Sequence, residues 1–293
     1  MFFESKWRIF QLVPKEYYPA TILVEGGEDI CSIEQRMSFA GIVFPVIAKP
    51  DSGERGWAVK KIGSIEELDV YKAALNVSFL IQSYINYPVE MSVFYYRHPL
   101  QKKGMVTSVT LKKLLTITGD GRSTIDELVR SNNRCFLQYQ KLVNQNKIDL
   151  THVPEPGEQV VLVPYGNHVL GATFLNYNHI IDEQLTNTID KISRRIDGFY
   201  YGRYDLRCNS IEDLKAGENF SIMEVNGARA EPAHIYEPGF SFFKAQLTIA
   251  KHFRMMYEAA RENHKNGVAY MSYKIFKDTL RLRKEYRSKV TVE

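Results

Sequence analysis

At 293 residues with 44% apolar content, the chain has room for one large domain or two smaller ones and the composition of an ordinary globular protein. No run of about 18 apolar residues occurs, and Met1–Lys6 lacks the apolar stretch of a signal peptide, so a membrane span is set aside and a cytoplasmic protein is expected. The net charge of +4 is mild and excludes no partner by itself.

In chain order, Ile42–Pro50 reads as a short buried strand ending at Lys49, because Pro50 has no N–H for the ladder. Asp51-Ser52-Gly53-Glu54-Arg55-Gly56 is a turn, and Trp57–Ile62 alternates like the returning strand. Such a hairpin tip can close over a polyanion with its backbone N–H groups. Ser64 is placed as a helix N-cap with Glu67 at the capping-box position, and Phe79–Gln82 is a further strand, completing a β-β-α-β unit. Ser83–Pro88 reads as a connection between lobes.

Strand alternation resumes over Val89–Tyr96, Val106–Leu111 and Leu114–Thr118. Gly119-Asp120-Gly121 is a tight turn, and a capped helix starts at Ser123 and Thr124. Gln159–Val163 is a strand, and Leu185, Ile189, Ile192 and Ile196 recur at helical spacing ahead of a strand over Phe199–Cys208. Phe240 to Glu262 is the last long helix. From Met271 to Glu293 seven Lys or Arg face three acids, which predicts a terminal helix with a solvated basic face. Peripheral membrane or nucleic-acid attachment is its second reading, and no nucleic-acid partner is expected. Cys31, Cys135 and Cys208 show neither disulfide-framework nor zinc spacing.

The densest chemistry lies in Gly202-Arg203-Tyr204-Asp205-Leu206-Arg207 and Phe220-Ser221-Ile222-Met223-Glu224-Val225-Asn226-Gly227. Residues two apart in a strand share a face, so Arg203 and Asp205 point one way, as do Glu224 and Asn226, and antiparallel pairing would join the two faces. Tyr204, Leu206, Ile222, Met223 and Val225 would then supply the buried side. Hard oxygen ligands of this kind suit Mg²⁺ or Mn²⁺ better than Zn²⁺.

Taken together, an apolar strand ending in Lys-Pro, a Gly-containing hairpin, an inter-lobe linker, a Glu on the next strand, and Arg-x-Asp followed by Glu-x-Asn resemble the ATP-grasp superfamily from about Glu4 to Gly239. Gly119–Leu128 and Gly157–Leu162, with Asn167 and Gly171 downstream, resemble cyanophycin synthetase and related ligases. Lys49 and the Asp205–Asn226 segments also resemble D-alanine:D-alanine ligase. The resemblance implies an α+β, two-lobed fold with ATP bound between two mainly antiparallel sheets. The boundaries expected are 1–82 for the N-terminal lobe, 83–262 for the C-terminal lobe with its metal site, and 263–293 for a basic helical extension.

By the same resemblance, Lys6 and Lys49 contact the nucleotide, and Gly53 and Gly56 shape the loop above the phosphates. Gln82 and the backbone through Ile85 meet the adenine edge, and Glu90 meets the ribose. Arg203 steadies the transferred phosphoryl group, and Asp205, Glu224 and Asn226 hold Mg²⁺ or Mn²⁺. Asn167 and His168 face the acceptor or the γ-phosphate, with a turn Asn and a satisfied His as the alternative; His234 is open in the same way. Lys112 and Lys113 are candidates to reach the phosphates, with one or both at the surface as the alternative. The activity implied is an ADP-forming carboxylate-amine or carboxylate-thiol ligase acting on small-molecule or peptide substrates, with a phosphotransferase or a silent ATP-binding regulator as alternatives.

Overall fold

The computed structural model describes residues 5–53, 56–75, 77–145 and 148–288. Glu4, the hairpin residues Glu54 and Arg55, and Lys289 and Glu293 of the basic tail lie outside the described residues.

Among the described residues three sheets organise the chain, and all their pairings are antiparallel. After helix α1 (Lys6–Leu12) come β1 (Thr21–Val24), α2 (Ile30–Phe39), β2 (Val46–Pro50), β3 (Lys60–Ile62), α3 (Ile65–Ala74) and β4 (Phe79–Ser83). The four strands form a sheet of order β1-β4-β2-β3. Its inner face, with Ile22, Val24, Val46, Ala48, Phe79 and Ile81, packs on Ile33 and Met37 of α2 and Leu68 and Tyr71 of α3. Period-2 alternation therefore turns Ile47, Lys49 and Gln82 to the opposite face.

β5 (Val89–Tyr96) and β6 (Met105–Lys113) begin the second sheet. β7 (Leu115–Thr118), α4 (Ile125–Ser131), α5 (Asn133–Phe136), α6 (Tyr139–Gln145) and β8 (Gln159–Val163) interrupt it with a two-stranded ribbon and its own small core around Ile117, Val129 and Leu142. The second sheet then continues through β9 (Thr173–Asn176), helix α7 (Glu183–Ser193), β10 (Tyr201–Cys208), α8 (Ile211–Ala216) and β11 (Phe220–Asn226), in the order β11-β10-β5-β6-β9. The chain ends in α9 (Phe242–Lys265) and α10 (Tyr273–Ser288).

One face of the second sheet is apolar: Met91, Val93, Tyr95, Val109, Tyr204, Leu206, Ile222 and Val225 are buried against Leu185, Ile189, Ile192 and Ile196. These last four are the residues whose spacing predicts the helix. α1 belongs to both sheets. Ser5 Oγ and the Trp7 N–H donate to the Asp51 carboxylate just past β2, while Val13 lies in the second sheet's core with Ile9, Tyr17 and Tyr18 packed beside it.

Several boundaries differ from expectation for local reasons. β2 starts at Val46, after a cis Phe44–Pro45 bond, and includes Pro50. The Asp51 N–H points toward Ser78 O, so position 50 would aim its N–H at the opposite side, where β3 has already ended at Lys60 opposite Ala48. The missing donor thus costs no ladder bond. β3 is shorter than the Trp57–Ile62 run because residues 56–58 are still turning. Glu67 reaches the Gly63 N–H rather than that of Ser64, at 2.8 Å, so no reciprocal capping box forms at α3.

The full capping box is at α4, between Thr124 and Glu127. Together with Asp120, which accepts the Arg122 and Ser123 N–H groups, it gives the Gly119–Leu128 stretch a turn-and-cap role. The predicted basic helix exists as α10, with Lys274, Lys277, Arg281 and Lys284 exposed, while Phe276, Asp278, Thr279, Arg283 and Tyr286 are half-buried.

Candidate active site

The polar face of the second sheet carries Glu90 and Ser92 from β5, Ser108, Thr110 and Lys112 from β6, Arg203, Asp205 and Arg207 from β10, and Glu224 and Asn226 from β11. Antiparallel register sets Arg203 opposite Asn226, Asp205 opposite Glu224 and, on the other side, Asp205 opposite Ser92. The expected joining of the two carboxylate-bearing faces is therefore realised. Met223 departs from the apolar role expected for it. The pairing shifts between Asp205 and Leu206, so that Leu206 faces Ile222, and the extra residue is left half-buried at the cleft wall.

Between this face and the outer face of the first sheet runs a cleft of about 720 Å³, within the range of small-molecule sites. Lys49 spans it: its Nζ donates to Gln82 Oε1 at 2.9 Å on its own sheet and to Met223 O at 3.1 Å on the other. Burial lowers the Lys49 ammonium to about 8, with Glu224 opposing that fall and Lys6 adding to it. Gln82, fully buried, uses both ends of its amide, accepting from Lys49 and donating to Thr21 Oγ1. Lys6 donates to Pro50 O and Gly53 O at the base of the glycine hairpin.

The centre of the site is Asp205. Arg203 holds it with two parallel bonds of 3.0 Å, a fork geometry that lysine cannot supply. Ser92 Oγ and Asn226 Nδ2 also donate to it, and Lys112 Nζ stands 3.4 Å away. Burial by itself raises the Asp205 carboxyl, but Arg203 and then Lys112 outweigh it and hold the group well below the usual carboxylate range. Arg203 is itself opposed by burial and kept charged first by Asp205, then by Glu224 and Glu231.

Glu90 accepts on a single oxygen from both Arg207 Nε at 3.1 Å and Nη2 at 2.9 Å, with Lys112 3.5 Å from its other oxygen. Arg207 also donates to Ile85 O. Lys112 is thus buried between two carboxylates, and Lys113 is the one of the pair that lies at the surface. Sequence reasoning passed over Arg207, although alternation from Arg203 and Asp205 extends to it directly.

A loop from Pro164 to Leu170 forms the rim. Asn167 caps a 3-10 turn by accepting the Val169 N–H, and its amide lies against Gly56: a Cβ on that residue, at φ +71°, would stand 2.5 Å from Asn167 Nδ2. His168 is set between Phe174 and Tyr236 and lowered by burial and by Arg134. Gly166 passes so close to the floor that a Cβ would come within 2.1 Å of Glu90 Oε1 and 2.9 Å of Lys112 Cδ. Gly166→Ala should therefore push Glu90 away from Arg207 and destabilise the protein by about 1–3 kcal/mol, seen as a lower thermal midpoint. An unchanged midpoint would mean that the rim yields instead. His234, buried, pairs its Nδ1 with Ser108 Oγ at 2.6 Å and is a satisfied core histidine.

Asp205, Glu224 and Asn226 form a partial, one-sided oxygen set, and among the described residues no cluster of three His, Cys, Asp or Glu side chains makes a metal cage. Asp205 is heavily committed, whereas no hydrogen bond among the described residues engages the Glu224 carboxylate. Two carboxylates and a carboxamide on one wall fit a hard divalent cation that takes its other ligands from phosphate oxygens and water. Cys208 offers no nucleophile: it is on the apolar face, and burial pushes its thiol up to about 12, with Asp213 and Glu212 adding to the rise.

The antiparallel two-sheet α+β architecture around one polar cleft is the fold class that the sequence resemblance implies. No protein-family model and no curated protein matches the chain. Among solved structures it is similar to the bifunctional glutathione synthetase from Pasteurella multocida, with 15% identity over 86% of this chain and 35% of that one and a TM-score of 0.45. It is similar to D-alanine–D-alanine ligase from Bacillus anthracis, with 15% identity over 96% and 68% of the two chains and a TM-score of 0.44. It is also similar to the ATP-grasp ligase PsnB in complex with a minimal precursor, with 10% identity over 87% and 59% and a TM-score of 0.45. The chain thus spans about a third of the glutathione synthetase and less than two thirds of PsnB.

Proposed function

We propose that the protein is an ATP-dependent ligase of the ATP-grasp type, joining a carboxylate to an amine, or to a thiol, with release of ADP and phosphate. One observation carries this reading: Lys49, Lys112 and Arg203 converge on the Asp205, Glu224 and Asn226 oxygen set inside a cleft between two sheets. Cations around a metal-type oxygen set are what a polyphosphate needs and what few other ligands need.

In this reading Ile47, Tyr84 and Met223, which line one part of the cleft, give a base an apolar surface, and Glu90 faces the ribose. Lys49 and Lys6 neutralise the phosphates. Asp205, Glu224 and Asn226 would hold Mg²⁺, which supplies charge neutralisation between phosphate oxygens. Arg203 bears on the phosphoryl group as it passes to the substrate carboxylate, making an acyl phosphate. The amine then displaces phosphate. Positioning and charge neutralisation carry such a transfer, so the inert Cys208 is no obstacle.

The test is product release from MgATP with pooled amino acids, short peptides and other carboxylates, with and without hydroxylamine, using Asp205→Asn/Glu224→Gln as the blank. ADP with a hydroxamate, absent from the blank, is the expected result. A phosphate ester in place of the hydroxamate would make the protein a phosphotransferase, and nucleotide binding with no turnover in any pool would favour a regulator.

A further inference from the structure

We propose that the C-terminal helix α10 completes the nucleotide site, with Arg283 supplying a cation to the bound polyphosphate and Tyr286 fixing the backbone of the hairpin that covers it. The proposal rests on the ATP reading above and gives a role in that site to the helix whose basic face is in solvent.

The contact between α10 and the body is narrow and specific. Of its half-buried residues, Phe276, Asp278, Thr279, Arg283 and Tyr286, all but Asp278 follow the i, i+3, i+7, i+10 spacing of a single helical face. Two of them, Arg283 and Tyr286, line the same cleft as Lys6, Lys49, Gly53 and Trp57. The Tyr286 hydroxyl accepts the Ser52 N–H at 3.4 Å and donates to Ser78 O at 3.2 Å, so it joins the start of the glycine hairpin to the lead-in of β4. Its ring meets the Trp57 indole edge-on, with centroids 6.3 Å apart, and packs beside the first sheet's core. Trp57 in turn sits against Gly53, where a Cβ would stand 3.1 Å from its ring.

Both ends of the hairpin are therefore held by one tyrosine, through Ser52 and through Trp57. Ser52 and Trp57 are fixed in this way before a ligand arrives, so the Gly53 and Gly56 backbone beside them enters a complex with less left to order. One turn earlier on the same face, Arg283 adds a guanidinium to the lysine side of the cleft, where a phosphate oxygen can be met by two parallel N–H bonds. Tyr286 acts through the hairpin and is a positioning residue, while Arg283 touches the ligand.

The test uses full-length protein carrying Trp7→Phe, which leaves Trp57 as the sole tryptophan, and measures binding of MgATP and of adenosine together with Trp57 fluorescence. Arg283→Gln should weaken MgATP by about tenfold, the loss of one charge-assisted contact, and leave adenosine affinity unchanged. Tyr286→Phe keeps the ring, so the thermal midpoint of the free protein should hold while the ATP-induced change in Trp57 emission shrinks and MgATP weakens severalfold. If the parent binds MgATP and both variants match it in affinity and emission, α10 has no part in the site and the proposal is overturned with the ATP reading intact. If the parent binds no MgATP, the ATP reading falls and the proposal with it.

Discussion

Arg203→Ala should cut ATP-dependent turnover by about 10²-fold or more, the usual loss when one transition-state donor is removed, and should leave the fold standing. Asp205 keeps Ser92, Asn226 and Lys112 after that change, so its buried carboxylate is not orphaned. Asp205→Asn should behave differently. It removes the negative charge on which Arg203 and Lys112 converge, leaving two buried cations with less compensation, and breaking such a pair from one side costs about 3 kcal/mol or more. Turnover and thermal midpoint should fall together in Asp205→Asn, while turnover alone should fall in Arg203→Ala. The comparison needs only an ADP-release assay and a melting curve for each variant. Equal turnover in Arg203→Ala and the parent would remove Arg203 from the chemistry.

Acid should begin to destabilise the protein before its carboxylates titrate, through the histidines roofing the polar face beside the cleft. His252 is 3% exposed, packed edge-on against Phe94 and Tyr201, and its Nδ1 has no hydrogen-bond partner among the described residues. Burial first, then His234 and Lys251, lower it to about 4. His234, with Glu237 opposing, is lowered in the same direction by burial. A histidine whose folded value lies below its unfolded one keeps fewer protons in the native state, so its contribution is complete above about pH 6.5 and drains away toward pH 4. The thermal midpoint should drop by roughly 5 °C over that window, and His252→Phe, which keeps the ring and loses the titration, should flatten the slope. A parent curve level from pH 7 to pH 4.5 would contradict this.

The site's central hairpin was legible because strand alternation is strictly local: Arg203, Asp205, Glu224 and Asn226 converge on one face for the same reason that Tyr204 and Val225 avoid it. Lys49 ahead of Pro50, and the helix over Leu185–Ile192, were legible on similar grounds. Lys112 was not, since nothing in a Lys-Lys pair says which one turns inward until β5 and β10 lie beside it and offer Glu90 and Asp205. The Met223 bulge was hidden because an extra residue in a paired strand leaves no mark on composition. The exposed basic side of α10 was legible from its run of charge, but the place of Arg283 and Tyr286 in the cleft was not, since it is set by what lies opposite rather than by hydrophobic periodicity.

The double allegiance of α1 has a mechanical consequence. Two bodies joined by one flexible strand can swing in any direction, and the 84–88 connection alone would allow that. A second link, from the Asp51 anchor of Ser5 and Trp7 to the Val13 anchor in the other core, and a third through α10, whose Tyr286 packs beside the first sheet's core, take that freedom away. The sheets are then held face to face, and Lys49 keeps its place against the Met223 carbonyl across the cleft without having to search for it.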